Sequence, residues 1–242
     1  MTRFPHHRAR AFTLVELLVV IGITAALIFA TVPALPSLLG NRGMSKAVTE
    51  TWNLLELSRN HALTSSQPTF VAFQNTKTLD GEDALTAFAF SSLVTRPSIS
   101  PSTKQLNDIQ VLSNIHRWTG VKLAEWDKLD AELKKLRFAG ADSKSLASAP
   151  GLNVSIGNLV PEPAWLFTIM FSPQGKAMIY SSFTTTDGKN TYTPDIDLNT
   201  PYDRFIDLVL LPTRGGNVDS NNPDQAALVL NGASGHIQIL RP

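Results

Sequence analysis

Residues 12–39 read FTLVELLVVIGITAALIFATVPALPSLL, an apolar run interrupted by one charge, Glu16. A bilayer core is crossed by about 20 apolar residues in a helix, so the run is long enough to span one. The preceding residues 1–11, MTRFPHHRARA, are basic and hold no acid. Positive flanks stay in the cytoplasm, so this leader remains inside and the chain beyond Leu39 is sent outward. Three readings of the run compete. A secretory signal would be cut after the apolar stretch, at small residues, and Ala30-Thr31-Val32 and Pro33-Ala34 make a poor site of that kind. A plain anchor explains the length and the flank but gives no reason for Glu16. A carboxylate towards the centre of a membrane helix costs on the order of 2.5–3.5 kcal/mol and usually marks function.

The third reading rests on Arg10-Ala11-Phe12-Thr13-Leu14-Val15-Glu16 and the following Leu17-Leu18-Val19-Val20-Ile21. This segment resembles the cleavage and methylation segment of type IV prepilins and type II secretion pseudopilins. The resemblance implies a prepilin peptidase that cuts between Ala11 and Phe12 and methylates the new N-terminus at Phe12. Glu16 then stands fifth in the mature chain, and Pro33 falls where such helices carry a kinking proline. The family has Gly before the cut; this chain has Ala11, which is still small. A carboxylate among Leu, Val and Ile needs a cation at its own depth. The resemblance supplies one, the ammonium of Phe12 on a neighbouring subunit or its own, so that Glu16 sets assembly register.

Beyond the run, Pro33 and Pro36 remove backbone donors and bend the helix. Helical spacing resumes at Met44, Ala47, Val48, Thr51, Leu55, Ser58 and Ala62, with Lys46, Glu50, Asn53, Arg59 and Asn60 largely on the other face. Pro68 ends it. The pattern predicts one long kinked helix from Phe12 to about Ser65, with residues 12–39 as a transmembrane or filament-core half and 40–66 as its amphipathic continuation. Residues 67–242 read as a β-rich domain. Strands are predicted at Thr69–Asn75, Ala84–Ser91, Leu152–Val160, Trp165–Phe171, Lys176–Ser182, Arg204–Leu211, Ala226–Asn231 and His236–Leu240, with a possible short strand in Ile109–Leu123. The first two form a hairpin with a long loop. Glu125–Phe138 is predicted as a helix with Trp126, Leu129, Leu133 and Leu136 on one face, and Ser143–Pro150 as a linker. The fold class is α+β, a pilin-like long N-terminal helix packed on antiparallel sheet.

The passage from Leu54 to Val71, with Arg59, Ala62 and Gln67-Pro68 in order, resembles the helix-to-first-strand passage of GspH/FimT-like minor pseudopilins. The Phe171-Ser172-Pro173-Gln174-Gly175-Lys176 turn and the closing Gly232–Leu240 hairpin are similar to that group. The resemblance implies a filament subunit whose partners are the prepilin peptidase, other pilin or pseudopilin subunits, an inner-membrane assembly platform and membrane lipid. It also implies a single-pass inner-membrane protein with a periplasmic domain, later drawn into a filament.

Residues that could carry chemistry are few. The chain has no cysteine, which excludes thiolate metal sites and a cysteine nucleophile. His61, His116 and His236 show no metal-ligand spacing. His61 reads as a surface or interface residue and His116 as partly buried packing. Gly232-Ala233-Ser234-Gly235 links two predicted strands and is a hairpin turn, not a nucleophile elbow. Asp195 and Asp197 are weak calcium candidates in what reads first as a solvated acidic loop. No cofactor is expected.

Net charge is +1; Arg3, Arg8 and Arg10 take three of the 21 basic residues, leaving 18 against 20 acidic ones. That balance argues against nucleic acid as a partner. The favoured function is a non-enzymatic minor pilin or pseudopilin. A DNA-capturing subunit and a membrane-anchored periplasmic protein of other function are the alternatives.

Overall fold

The computed structural model describes residues 14–31, 35–93, 105–136, 143–149, 151–156, 158–180, 183–186, 191–194, 204–214, 216–218 and 222–241. The chain divides into two compact units, Met1–Gly40 and Asn41–Pro242. Two helical stretches are described, α1 (Leu14–Thr31) and α2 (Leu35–Ser65), and the kink expected at Pro33 lies outside the described residues. Among the described residues no helix is long and apolar enough to cross a membrane. The 18 residues of α1 rise about 27 Å, against a hydrocarbon core of about 30 Å.

From Asn41 onward α2 belongs to the second unit and packs by one face. Met44, Ala47, Val48, Thr51, Leu54, Leu55, Ser58 and Ala62 are all buried. Seven of these follow from the helical spacing in the sequence, and Leu54 is the addition. Ala47, Thr51, Ser58 and Ala62 are small, which lets the helix backbone approach the strands beneath it. Ser66, at φ 56, and the following Pro68 end the helix and reverse the chain.

The chain then runs through β1 (Thr69–Lys77), β2 (Asp83–Ser92), β3 (Ile109–Val111), β4 (His116–Thr119), β5 (Val121–Ala124), α3 (Ala131–Lys135), β6 (Ser143–Ser145), β7 (Leu152–Ile156) and β8 (Val160–Phe171). It continues through β9 (Ala177–Tyr180), β10 (Phe183–Thr186), β11 (Thr191–Pro194), β12 (Phe205–Arg214), β13 (Asn217–Val218), β14 (Ala226–Asn231) and β15 (Ile237–Leu240). Among the described residues these strands form two sheets, with β10–β11 as a separate hairpin. The first is antiparallel in the order β3-β2-β1-β8-β7, with β4 also on β2 and β9 also on β8. The second has the order β13-β12-β14-β15, with β5 antiparallel and β6 parallel to β12.

One residue explains how the chain passes from the first sheet to the second. β4 pairs with β2 and β5 with β12, and only Gly120 separates them. Its φ of 71 is a left-handed conformation that glycine adopts without strain, and it turns the chain from one sheet to the other. The Asn75 side chain then stitches the sheets together. Its Oδ1 accepts from Leu123 N at 2.9 Å, and its Nδ2 donates to Leu123 O at 3.1 Å.

Three apolar layers follow. The central one joins α2 to Val71, Phe73, Leu85, Ile169 and Phe171 of the first sheet and to Ile206, Leu208 and Leu228 of the second. The outer face of the first sheet carries Phe70, Phe88, Phe90 and Met170, with Phe70 stacked on Phe90 at 5.0 Å. The outer face of the second carries Val209, Leu211 and Val229 beneath Leu129 and Leu133.

Several local expectations are corrected. Glu125–Phe138 is not one helix, because Asp130 caps a new one. Its side chain accepts from Glu132 N, so a 3-10 turn at Trp126–Lys128 is followed by the five residues of α3. Leu129 and Leu133 are buried as expected, whereas Leu136 is exposed. Ser143–Pro150 is not a plain linker: β6 pairs with β12, and Leu146 is fully buried. The β1–β2 loop is a tight turn closed by Thr78 N to Glu82 O at 2.8 Å and Gly81 N to Thr78 O at 3.0 Å.

Two glycine-bearing turns meet on α2. The Arg59 Nε donates to Ser234 O at 3.0 Å, and Gly235, at φ 65, lies where a Cβ would come within 2.3 Å of Gly175 O. Gly81, at φ 81, has nothing within 4 Å of such an atom. Both sites penalise a side chain through φ, but only Gly235 adds a backbone collision. Gly81→Ala is expected to lower unfolding stability by about 1 kcal/mol and Gly235→Ala by about 3 kcal/mol or more, read by urea denaturation in detergent. Equal losses would show that the two turns are not in contact.

Candidate functional site

The element whose surface the fold leaves unexplained is α1. From Leu14 to Phe29 its large apolar side chains are exposed, with Leu14 at 76% and Phe29 at 80%. The exposed set covers the helix on all sides, with no polar stripe to face water. The sequence folds as a helix here because Leu, Ala and Glu favour it and no proline falls inside. Thr24 is kept within the helix, its hydroxyl donating to Val20 O at 2.9 Å and to Ile21 O at 3.0 Å. No polar group of that residue is left seeking water. Beyond its own stretch of helix backbone, Gly22 has nothing within 4 Å of where a Cβ would sit.

Glu16 lies in the first turn of α1. An acid at that position meets the positive end of the helix dipole, a modest stabilisation of about 0.3–1 kcal/mol. This contribution is not visible in the sequence until the helix start is placed. Ala11, Phe12 and Pro33 lie outside the described residues, as do Asp195 and Asp197. Of the predicted site residues, Glu16 is therefore the one with a described environment.

A polar cluster of the second unit lies where α2 meets β4. Glu50 of α2 accepts from Trp118 Nε1 at 2.7 Å and lies 3.2 Å from His116 Nδ1, with Lys46 Nζ at 3.8 Å. The His116 and Trp118 rings are stacked at 6.1 Å. Glu50 belongs to the face of α2 expected to be solvated. Trp118 on β4 draws it in, a long-range pairing that no local spacing announces. A carboxylate beside an imidazole is two-thirds of a hydrolytic constellation, but no hydroxyl is hydrogen-bonded to His116 among the described residues. The arrangement instead fastens α2 to β4.

The other histidines have structural surroundings. His61 Nδ1 lies 3.3 Å from both Thr69 Oγ1 and Ser65 Oγ, at the turn from α2 into β1. His236 is exposed. No group of three His, Cys, Asp or Glu side chains able to hold a metal occurs among the described residues. Gly232–Gly235 is a hairpin turn between β14 and β15, with Asn231 Oδ1 accepting from Ala233 N and Ser234 N.

Glu50 also provides a pH signature. Burial acts to raise its pKa, but the hydrogen bonds from Trp118 and His116 and the charge of Lys46 prevail, and the net shift is downward from the ordinary 4.5. A depressed carboxyl stabilises the folded state above its ordinary pKa and loses that contribution as pH falls through the folded value. Glu50→Gln is therefore expected to cost about 1–2 kcal/mol at pH 7 and progressively less below pH 4.5, measured by denaturation at a series of pH values. A cost independent of pH would show that the carboxylate charge contributes nothing.

Residues 6–32 match the model of the prokaryotic N-terminal methylation motif, which takes in the second half of the basic leader and all of α1. No curated protein and no solved structure matches the chain.

Proposed function

We propose that the chain is a structural minor pilin or pseudopilin subunit, processed and N-methylated by a prepilin peptidase and assembled into a type IV pilus or a type II secretion-like filament. The observation that carries this reading is the methylation motif at residues 6–32, lying over a helix that is apolar all round and exposed. The motif supports a prepilin-type protein. The filament system, the GspH/FimT-like subtype and the minor role are finer readings, supported by the resemblance of Leu54–Val71 and of the two turns that meet on α2.

In this reading residues 1–11 remain in the cytoplasm and residues 12–39 hold the chain at the inner membrane, with the β-rich unit outside. The peptidase cuts between Ala11 and Phe12 and methylates Phe12. On assembly the apolar faces of α1 exchange lipid for neighbouring α1 helices, and Glu16 pairs with an N-terminal ammonium, which methylation leaves charged. The helix exchange is non-directional; the ion pair sets which neighbours align. Asp195 and Asp197 remain weak calcium candidates and carry no part of this role. The reading makes the chain a subunit rather than an enzyme.

The test is mass spectrometry of the N-terminus of the chain made in a host with its own prepilin peptidase. The expected product begins at Phe12 and is heavier by one methyl group. A product cut near Ala34, or an intact leader, overturns the proposal. Replacing Ala11 with glycine is expected to speed processing or leave it unchanged, read as the ratio of mature to unprocessed chain in a pulse-chase.

A further inference from the structure

We infer that a groove on the outer face of the first sheet is a binding site for a small zwitterion with an apolar side chain, the chemistry of a free amino acid or a short peptide of apolar residues. The site stands apart from the filament-subunit reading and does not draw on it. Its floor is one row across three strands. Gln74 of β1 is opposite Thr86 of β2, and Thr86 is opposite Arg117 of β4. All three residues line the groove. Further along the strands the same face carries Phe70, Phe88, Phe90 and Met170, so the row stands out as polar against an apolar layer.

The wall comes from the first half of β8. That strand pairs with β1 from Phe167 to Phe171; before this it pairs with β7 and brings Val160 and Glu162 to the groove. The space is about 350 Å³, at the small end of the ~300–1,000 Å³ range of ligand sites. Phe88 and Val160 give it an apolar lining. Among the described residues Arg117 and Glu162 form no ion pair, with each other or with any other side chain, and the Gln74 side-chain amide makes no hydrogen bond. Thr86 is engaged by the fold, its hydroxyl donating to Gln74 O at 3.2 Å.

Two opposite charges that share a groove without neutralising each other select against a ligand of one sign. A lone carboxylate is drawn to Arg117 and repelled by Glu162, and a lone amine meets the reverse. A zwitterion satisfies both groups at once. The Arg117 guanidinium presents a fork that matches a carboxylate. The Gln74 amide, two strands away at ~4.8 Å per strand, donates to the same carboxylate from the other side of Thr86. Glu162 accepts from the ammonium, and Phe88 and Val160 cover the apolar side chain. An exposed arginine or glutamate alone is ordinary surface. Held on the floor and wall of one apolar-lined groove, with an unengaged amide beside them, the two form a convergent polar set.

The test is titration calorimetry of the full chain in phosphatidylcholine nanodiscs, with leucine and leucyl-leucine as the probes. Saturable binding of at least one of them is expected, with a Kd on the order of 1 mM or below. The two probes differ in the distance between their charges, so the tighter one reports the span from Arg117 to Glu162. The analogue 4-methylpentanoate lacks the ammonium and isopentylamine lacks the carboxylate; each is expected to bind about ten-fold more weakly or not at all. Arg117→Gln and Glu162→Gln are each expected to weaken the zwitterion about ten-fold. Both side chains are exposed, so neither change should move the urea midpoint, and Lys128→Gln on the other sheet should leave binding unchanged. No binding of either zwitterion at about 10 mM, equal binding of a singly charged analogue, or indifference to Arg117→Gln or Glu162→Gln overturns the site.

Discussion

A helix whose apolar side chains face outward on every side requires a second surface to cover it. Eleven large apolar residues between Leu14 and Phe29 are more than half exposed. Covering each would contribute about 1.5–3 kcal/mol, on the order of 15–30 kcal/mol together. Burying Glu16 with them costs several kcal/mol without a partner. The apolar term therefore decides that α1 is covered, and we propose that the carboxylate selects what covers it. Lipid satisfies the first requirement alone, whereas a neighbour that offers an ammonium satisfies both.

The second unit is organised by a related constraint, met within the chain. α2 lays a stripe of small and apolar residues across two sheets at once, so the helix and both sheets share a central core. Its partly exposed flank is tied down at two places by polar contacts. Glu50 engages Trp118 and His116 on β4, and Arg59 holds the Ser234 carbonyl where the Gly235 turn crosses Gly175. These contacts come from the middle and the end of the sequence, and they fix the helix on the domain more firmly than the apolar stripe alone.

Much of this was legible in the residues. The spacing of Met44 to Ala62 names the buried face of α2, and the β-rich runs at Thr69–Asn75 and Ala84–Ser91 and the turn at Gly232–Gly235 read correctly. What was not legible depends on partners distant in sequence. Gly120 looks like any turn glycine until β4 and β5 are seen to belong to different sheets. Glu50 sits among solvated positions until Trp118 reaches it. The expected helix at Glu125–Phe138 has the right apolar period, but Asp130 competes for the main chain as a cap and divides it. At the candidate site the motif was legible in Ala11, Phe12 and Glu16 because it is local. The placement of Glu16 in the first helical turn needed the structure.

We propose Glu16 as the aligning charge of an assembly helix. Its most direct measurement is co-expression of wild-type chain and Glu16→Ala chain with the cognate assembly machinery, followed by quantification of each in the sheared filament fraction and in the membrane. Wild-type chain is expected in the filaments. The Glu16→Ala chain, equally processed and methylated at Phe12, is expected to remain in the membrane. Equal recovery of both chains in the filaments would contradict the account.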